Sequence, residues 1–126
     1  MKKHSKIYLA GRLTPQCLTS VNPAIDYLFN LRTMFKWAVK VLLAGFDPFC
    51  PAADFMYFLN LAEDEHITEQ MIKRYSKSWL EACDAMLLLP GWKDSAGTLA
   101  EIKFCEEHNI PVFETLDELI LFTKGD

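Results

Sequence analysis

The sequence predicts a single α/β domain of the Rossmann-like, flavodoxin-like class, with a four- or five-stranded parallel sheet flanked by helices. Short apolar runs alternate with longer segments in which apolar residues recur at helical spacing, as in strand–helix–strand folds. The chain has 126 residues, close to the commonest domain size, and 51% of them are hydrophobic, enough for a core at this length. No repeat or linker divides it, so residues 1–126 are assigned to one domain, with expected strand order 2-1-3-4.

Two strands and one long helix are predicted in the first half of the chain. The apolar run 7–10, closed by Gly11, indicates a buried first strand, and residues 46–51 indicate a short second strand cut off by prolines. Asn22 and Pro23 are typical of a helix start, and Gly45 of a helix end. The apolar face of this helix is predicted from Ile25, Leu28, Phe35, Val39 and Leu42. Residues 54–59 fit either a short helix or an exposed hydrophobic flap.

The second half continues the alternation. Apolar residues that step by four predict one face of a helix: Ile67, Met71, Tyr75, Trp79 and Cys83. Strands are predicted at 85–89 and 110–113, and helices at 99–108 and 116–123. Between the third strand and its helix lies a turn-rich loop at 90–97.

Composition excludes several classes of partner. The net charge is −4 with both signs mixed along the chain, which argues against binding of a nucleic-acid polymer. No stretch approaches the ~20 apolar residues of a membrane span. The four cysteines form no C-x-x-C pair and the three histidines have no metal-ligand spacing, so we expect free thiols in a reducing cytoplasm and neither metal nor cofactor.

Two loops should meet at the expected ligand crevice. Parallel sheets bind ligands beyond the carboxyl ends of their strands where the strand order reverses, which brings residues 11–15 beside residues 90–97. The second loop runs into a helix N-terminus, whose free N–H groups can hold an anion. Gly97 permits close backbone approach, Ser95 offers a hydroxyl, and Glu101 lies one turn into the helix. A nucleotide or nucleoside is the expected ligand.

A structural interpretation competes with a ligand role for this loop. Thr98-x-x-Glu101 fits a capping box, in which the glutamate reaches back to the N–H group of the cap residue. Thr115-x-x-Glu118 repeats the pattern at the last helix, where no chemistry is implied. Spacing alone favours the capping box.

Three segments resemble the nucleoside 2-deoxyribosyltransferase superfamily, in particular its small bacterial and phage domains and the 2′-deoxynucleoside 5′-monophosphate N-glycosidases. They are Ile7-Tyr8-Leu9-Ala10-Gly11, Trp79-Leu80-x-x-Cys83-Asp84-Ala85 and Ser95-x-Gly97-Thr98-x-x-Glu101. The resemblance covers nearly the whole chain and is best from Trp79 to Pro111. It implies hydrolysis of the N-glycosidic bond of (deoxy)nucleoside 5′-monophosphates through a covalent glycosyl-enzyme intermediate.

The resemblance also implies roles for individual residues. Glu101 matches the nucleophile, Tyr8 a tyrosine near the sugar, and Ser95 a serine that binds the 5′-phosphate. Gly11 and Arg12 would line the same pocket. Loop residues Gly91, Trp92, Gly97 and Thr98 complete the expected substrate-binding set, with Trp92 either stacking on a base or packing locally.

One position departs from the family pattern. The family places an aspartate near the sugar on the helix before the third strand, and the register here puts Ser76 at that position. Either a nearby acid such as Asp54, Asp64 or Glu65 compensates, or activity is weak or lost. Asp84, at the far end of the sheet, is expected to be structural. Ser76 favours a non-catalytic nucleotide-binding or sensing module as one alternative. A base-exchanging deoxyribosyltransferase is the other alternative.

An assembly is also expected. Sites of this superfamily are often completed by a neighbouring subunit, and residues 55–59 are unusually apolar for a small domain. We expect a homodimer or larger homo-oligomer, with this segment or the helix from Asn22 to Ala44 at the contact.

Overall fold

The computed structural model describes residues 4–12 and 22–124 and contains a four-stranded parallel sheet in the order β2-β1-β3-β4. The strands are β1 (Lys6–Ala10), β2 (Asp47–Phe49), β3 (Ala85–Leu88) and β4 (Val112–Phe113). All three strand pairings are parallel, which confirms the predicted fold class and strand order. Positions 13–15 of the first expected loop, Cys17 and residues 125–126 lie outside the described residues.

Five α-helices flank this sheet within the described ranges. They are α1 (Pro23–Leu43), α2 (Phe55–Leu59), α3 (Glu69–Ala82), α4 (Ala96–Glu107) and α5 (Leu116–Lys124). Two 3₁₀ turns, Pro51–Asp54 and Trp92–Asp94, follow β2 and β3. Strands β2 and β4 are shorter than predicted, since prolines flank or interrupt both segments and cannot donate to the sheet.

Alternate residues of β1 enter the two cores of the domain. Ile7 and Leu9 pack with residues of α1 and α5, whereas Tyr8 and Ala10 pack with residues of α3 and α4. This follows from the two-residue period of a strand covered on both faces. Tyr8, 0% exposed, therefore ends up on the α3/α4 side of the sheet.

Helices α1 and α3 each begin directly after a residue whose side chain caps the helix. The Asn22 side chain accepts a hydrogen bond from the Ala24 N–H at 3.0 Å, and the Thr68 hydroxyl accepts one from Met71 at 3.1 Å. At the other end of α1, Gly45 takes a φ of 99°, the left-handed conformation that ends helices. These caps confirm the predicted start and end of α1.

The start of α4 contradicts the capping box proposed at Thr98. The helix begins at Ala96, and the cap is Ser95, whose hydroxyl accepts a hydrogen bond from the Thr98 N–H at 3.2 Å. Thr98 is thus the third helical residue. Glu101 lies beyond the first turn, where it cannot reach the cap. At α5 the predicted Thr115 cap is present, because its hydroxyl accepts a hydrogen bond from the Glu118 N–H at 3.1 Å.

The apolar residues that marked α1 point outward, contrary to the predicted face. The helix buries a different stripe, represented by Leu31, Met34 and Val41. All five marker residues are between 44% and 59% exposed, and Leu43 is 82% exposed. Since α1 is apolar on two sides, helical spacing alone could not select the side that faces the sheet.

The stripe predicted for α3 is displaced by one residue. Met71 and Trp79 are exposed, while Leu80 is fully buried and Ser76 faces Tyr8. Trp79 instead stacks on Phe49 of β2, with ring centroids 5.0 Å apart. The polar Ser76 interrupts the buried stripe in the sequence, so the pattern of apolar residues pointed to the aromatic flank of the helix.

Residues 55–59 take the first of the two predicted alternatives, a short helix. They form the short helix α2, and Met56, Tyr57, Phe58 and Leu59 are 45–69% exposed. In the part of the chain that the structure describes, no helix is both long and apolar enough to cross a membrane.

Asp84 closes the sheet at the edge opposite the carboxyl ends of the strands. Its carboxylate accepts a hydrogen bond from the Lys6 N–H at 2.7 Å, and its own N–H donates to the Lys6 carbonyl at 2.8 Å. These two bonds join the beginnings of β1 and β3, which supports the structural role expected for Asp84.

We predict that Asp84→Ala lowers the free energy of unfolding by about 1 kcal/mol, because the Lys6 N–H loses its charged acceptor. Urea denaturation measures the change. Asp64→Ala, in an exposed loop, is the control and should stay within about 0.5 kcal/mol of the wild type. Equal stability of the two variants would contradict the role of Asp84.

Candidate active site

A cavity of about 660 Å³ opens at the carboxyl end of β1, a size typical of small-ligand sites. Loops from both neighbouring strands contribute to it, as expected for the point where the strand order reverses. Most of the predicted site residues line it: Tyr8, Gly11, Arg12, Ser76, Ser95, Gly97, Thr98 and Glu101. Described residues of both predicted loops therefore line one cavity, at the end of the sheet where the sequence analysis expected it.

Two predicted site residues lie apart from this lining. Gly91 takes a φ of 87° and starts the 3₁₀ turn after β3, so its conformation serves the loop. Trp92 packs against the core cluster of the α3/α4 side, and the Lys93 ammonium lies 5.6 Å from the centre of its ring. Of the two alternatives for Trp92, the structure shows local packing.

The centre of the cavity is a hydrogen bond between β1 and α4. The hydroxyl of Tyr8 donates to Oε2 of Glu101, a contact between residues 93 positions apart in the chain. Ser76 on α3 lies close enough to the same tyrosine hydroxyl to lower its pKa. The buried hydroxyl thus joins the strand to α4 and fixes the direction of the Glu101 carboxylate.

Burial shapes the ionisation of this pair. It raises the pKa of the Glu101 carboxyl, and the hydrogen bond from Tyr8 partly offsets that rise. Burial and the adjacent carboxylate both raise the pKa of Tyr8, which keeps the phenol protonated and therefore a hydrogen-bond donor. A carboxylate held by a neutral donor, with little water around it, can act as a nucleophile.

Ser95 is both a helix cap and a potential ligand donor. Its oxygen accepts hydrogen bonds from the Thr98 N–H at 3.2 Å and from the Thr98 hydroxyl at 3.0 Å. A serine hydroxyl has two acceptor lone pairs and one proton, so these bonds occupy the acceptors and leave the proton to be donated elsewhere. Thr98 itself is 1% exposed and serves to hold Ser95.

The backbone beside Ser95 is open toward the cavity. Ala96 and Gly97 are the first two residues of α4, whose N–H groups have no acceptor inside the helix. A Cβ atom added to Gly97 would find no atom nearer than the Ser95 oxygen, at 3.9 Å. With the free Ser95 proton, these groups form a cradle for an anion.

Charged side chains that the sequence did not assign to the site also line the cavity. Lys73 and Lys77 flank Ser76 on α3, and Lys73 is paired with Glu69 at 3.0 Å. Spacing was the available signal, because Lys73 lies three positions before Ser76, and Lys77 lies four positions after Lys73 on the same helix surface. Arg12 is the third basic residue on the lining of the cavity.

The three acids that the sequence analysis named as possible partners of Ser76 lie in different places. Asp54, which follows β2, lines the cavity and is half-buried. Asp64 and Glu65 are exposed and are not part of its lining, and the Glu65 carboxylate accepts a hydrogen bond from the Ala62 N–H at 2.8 Å. Asp54 is thus the candidate that the fold brings to the site.

Comparison with known families assigns the chain. A family model described as "Domain of unknown function (DUF4406)" matches residues 28–114, more than half of the sequence. The chain belongs to this family. The DUF4406 match includes Asp54, Ser76, Ser95 and Glu101, and it begins after β1 and Tyr8.

One solved structure is similar in fold, described as "Crystal structure of conserved protein from Enterococcus faecalis V583". Its sequence identity is 23%, its TM-score is 0.49, and the alignment covers 86% of this chain. The chain spans 60% of the length of that protein. A search of curated proteins finds no match.

The described cysteines take no part in the cavity. Cys50, Cys83 and Cys105 are free, and burial raises the pKa of each thiol to about 11. Across residues 4–12 and 22–124, no three side chains of the types His, Cys, Asp or Glu come together as a possible metal site.

The two cavity glycines should respond oppositely to alanine. In Gly11→Ala the new Cβ would lie 3.1 Å from the Leu89 Cβ, so we predict a loss of about 1 kcal/mol of unfolding free energy. Gly97→Ala meets open space within a helix and should gain up to about 1 kcal/mol. Thermal and urea unfolding measure both changes, and a shift of the same sign in the two variants would contradict the described geometry.

Proposed function

We propose that the protein hydrolyses the N-glycosidic bond of (deoxy)nucleoside 5′-monophosphates, with Glu101 as the nucleophile. The observation that carries the proposal is the setting of Glu101. Its carboxylate faces a cavity and accepts a hydrogen bond from Tyr8, instead of capping α4. A capping glutamate would be exposed at the helix start, whereas this one is partly buried with a raised pKa. The resemblance to nucleoside 2-deoxyribosyltransferases supports the same role.

The anion cradle supports a phosphorylated substrate. The Ser95 proton, the N–H groups of Ala96 and Gly97, and the positive end of the α4 dipole all favour a phosphate at one end of the cavity. Arg12 on the same lining can add a planar pair of donors. A substrate held there by its 5′-phosphate would place its sugar beside Tyr8 and Glu101.

The proposed reaction has two steps. A Glu101 oxygen attacks C1′ of the sugar, the C1′–N bond breaks, and the bonding electrons leave with the base. Water then attacks C1′, which breaks the glycosyl ester and returns the Glu101 carboxylate. The products are the free base and the sugar 5-phosphate.

Release of free base tests the proposal. Nucleosides, their 5′-monophosphates and the corresponding deoxy compounds are incubated with the protein, and chromatography detects the base. We expect cleavage of monophosphates and much slower cleavage of nucleosides, since nucleosides cannot use the anion cradle. Equal rates on the two classes would contradict the role of the cradle.

We predict that Glu101→Gln lowers turnover by about 10³-fold or more, because an amide cannot form the glycosyl ester. Its folded state should be at least as stable as the wild type, since the substitution removes a buried carboxylate whose charged form is disfavoured. Glu118→Ala is the matched control. It removes the acceptor of the Glu114 N–H, should lose about 0.5–1 kcal/mol and should keep full turnover. Base release by Glu101→Gln at the wild-type rate would contradict the assignment.

A non-catalytic nucleotide-binding module is the second candidate, and Ser76 is the observation that favours it. The hydroxyl of Ser76 lies near Tyr8 but cannot supply the charge of the aspartate that nucleoside 2-deoxyribosyltransferases have at this position. Binding of monophosphates without release of base from any of them would select this candidate. Recovery of cleavage by Ser76→Asp would then identify the serine as the cause.

We also propose that the protein assembles as a homodimer through α1. This helix has large apolar residues on the side away from the sheet, including Phe29, Val39 and Leu43 at 55–82% exposed. A helix apolar on both sides is normally covered on both. The exposed apolar residues of α2 are the other surface that fits such a contact.

We predict a dimeric mass by sedimentation velocity at micromolar concentration. Val39→Glu, on the outward side of α1, should shift the protein to monomer, because the contact would have to bury a charge. Leu121→Glu, at a 67% exposed position of α5, is the control and should remain dimeric. A monomeric wild type would refute the assembly.

A further inference from the structure

The strand order places different chain segments on the two sides of the cavity. Strand β1 lies between β2 and β3, so the loop after β2 and the start of α4 flank the end of β1 from opposite sides. Adjacent strands are about 4.8 Å apart, and the two flanks are therefore separated by about 10 Å. Tyr8 and Glu101 lie between them, on the cavity lining.

A nucleoside monophosphate has the same linear order. Its phosphate is attached through C5′ to C4′ and its base to C1′, so the two groups extend from opposite ends of one face of the sugar ring. With the phosphate at Ser95 and C1′ beside Glu101, the base extends toward the loop after β2. Asp54 belongs to that flank and lines the cavity there.

We propose that Asp54 is the acid that protonates the departing base, an inference that rests on the proposed function. The carboxyl of Asp54 donates its proton to a ring nitrogen of a purine while the C1′–N bond breaks, so the base leaves as a neutral molecule. In the second step the Asp54 carboxylate takes a proton from the water that attacks C1′. The proton count closes over the two steps, with water as the net co-reactant.

Burial favours the protonated form of the Asp54 carboxyl, because it raises the pKa of this group. Tyr27 of α1 and Tyr75 of α3 are near enough for the charge of Asp54 to raise their own pKa values. The other charged groups on the cavity lining have opposite effects on the Asp54 carboxyl. The positive charges of Arg12, Lys73 and Lys77 favour its ionised form, and negative charges on Asp94 and Glu101 favour its protonated form. Asp54 precedes α2, but its carboxylate forms no hydrogen bond that caps this helix, so the side chain is not needed there for capping.

Asp54 also differs from the other aspartate of the lining. Asp94 is exposed and adjoins Ser95, on the flank where the phosphate is placed. A carboxylate there meets the anionic end of the substrate and is far from the base. Of the two aspartates, the geometry therefore gives the acid role to Asp54.

The experiment compares two substrates that differ in their need for a proton. One is 2′-deoxyguanosine 5′-monophosphate and the other its N7-methyl derivative, or the ribose pair if the wild type cleaves those. The methylated base already carries a positive charge and leaves without protonation. Single-turnover release of base is measured for the wild type, Asp54→Asn, Glu101→Gln and Asp64→Asn.

We expect Asp54→Asn to slow release of guanine by about 10²–10⁴-fold and release of N7-methylguanine by less than about 10-fold. Glu101→Gln should slow both to a similar extent, and Asp64→Asn, outside the cavity, should change neither. The ratio of the two rates within one variant does not depend on how much of the protein is folded, so a folding defect cannot imitate the result.

Three outcomes would overturn the inference while leaving the proposed function intact. The first two are that Asp54→Asn slows release of both bases equally, or slows neither. The third is that the wild type cleaves pyrimidine nucleotides alone. If the wild type releases base from no nucleotide, including the methylated one, the proposed function itself fails. The methylated substrate separates the two failures, because it still needs the nucleophile but does not need the acid.

Discussion

The hydrogen bond from Tyr8 to Glu101 is the contact around which the site is arranged. It joins the central strand to the middle of α4, and Ser76 of α3 lies beside the tyrosine hydroxyl. Burial has two consequences for this pair. It keeps the Tyr8 phenol protonated, and it raises the pKa of the Glu101 carboxyl, which the hydrogen bond from Tyr8 partly lowers again. The cavity exists because the helices on this side of the sheet leave room around that bond.

The fold was largely predictable from local signals. Apolar runs marked all four strands, Asn22 and Gly45 marked the limits of α1, and parallel pairing followed from the alternation of strands and helices. Helix orientation was not predictable in the same way. The spacing of apolar residues gives the period of a helix, but α1 is apolar on two sides and α3 has a serine on its buried stripe. In both cases packing against the sheet, and not periodicity, selects the inward face.

The site was predictable in part, for an identifiable reason. Ser95 and Thr98 are both good cap residues three positions apart, so the sequence allows two helix starts. The earlier start makes Glu101 a cavity residue and the later one makes it a cap. Tertiary contacts decide between them, through the burial of Thr98 and the bond to Tyr8. Asp54 joins the lining because the loop after β2 lies beside the end of β1, and no local motif records that contact between distant parts of the chain.

The hydrogen bonding of Ser95 has a consequence for ligand selectivity. A cap residue needs an oxygen that accepts, and aspartate meets that need as well as serine does. The two differ in what remains after capping, which is a proton for serine and a negative charge for aspartate. Aspartate in place of Ser95 would therefore still cap α4, but its negative charge would repel an anion. If the proposed function holds, the residue at this helix cap would determine which ligand charge the site accepts, and it could change without altering the fold.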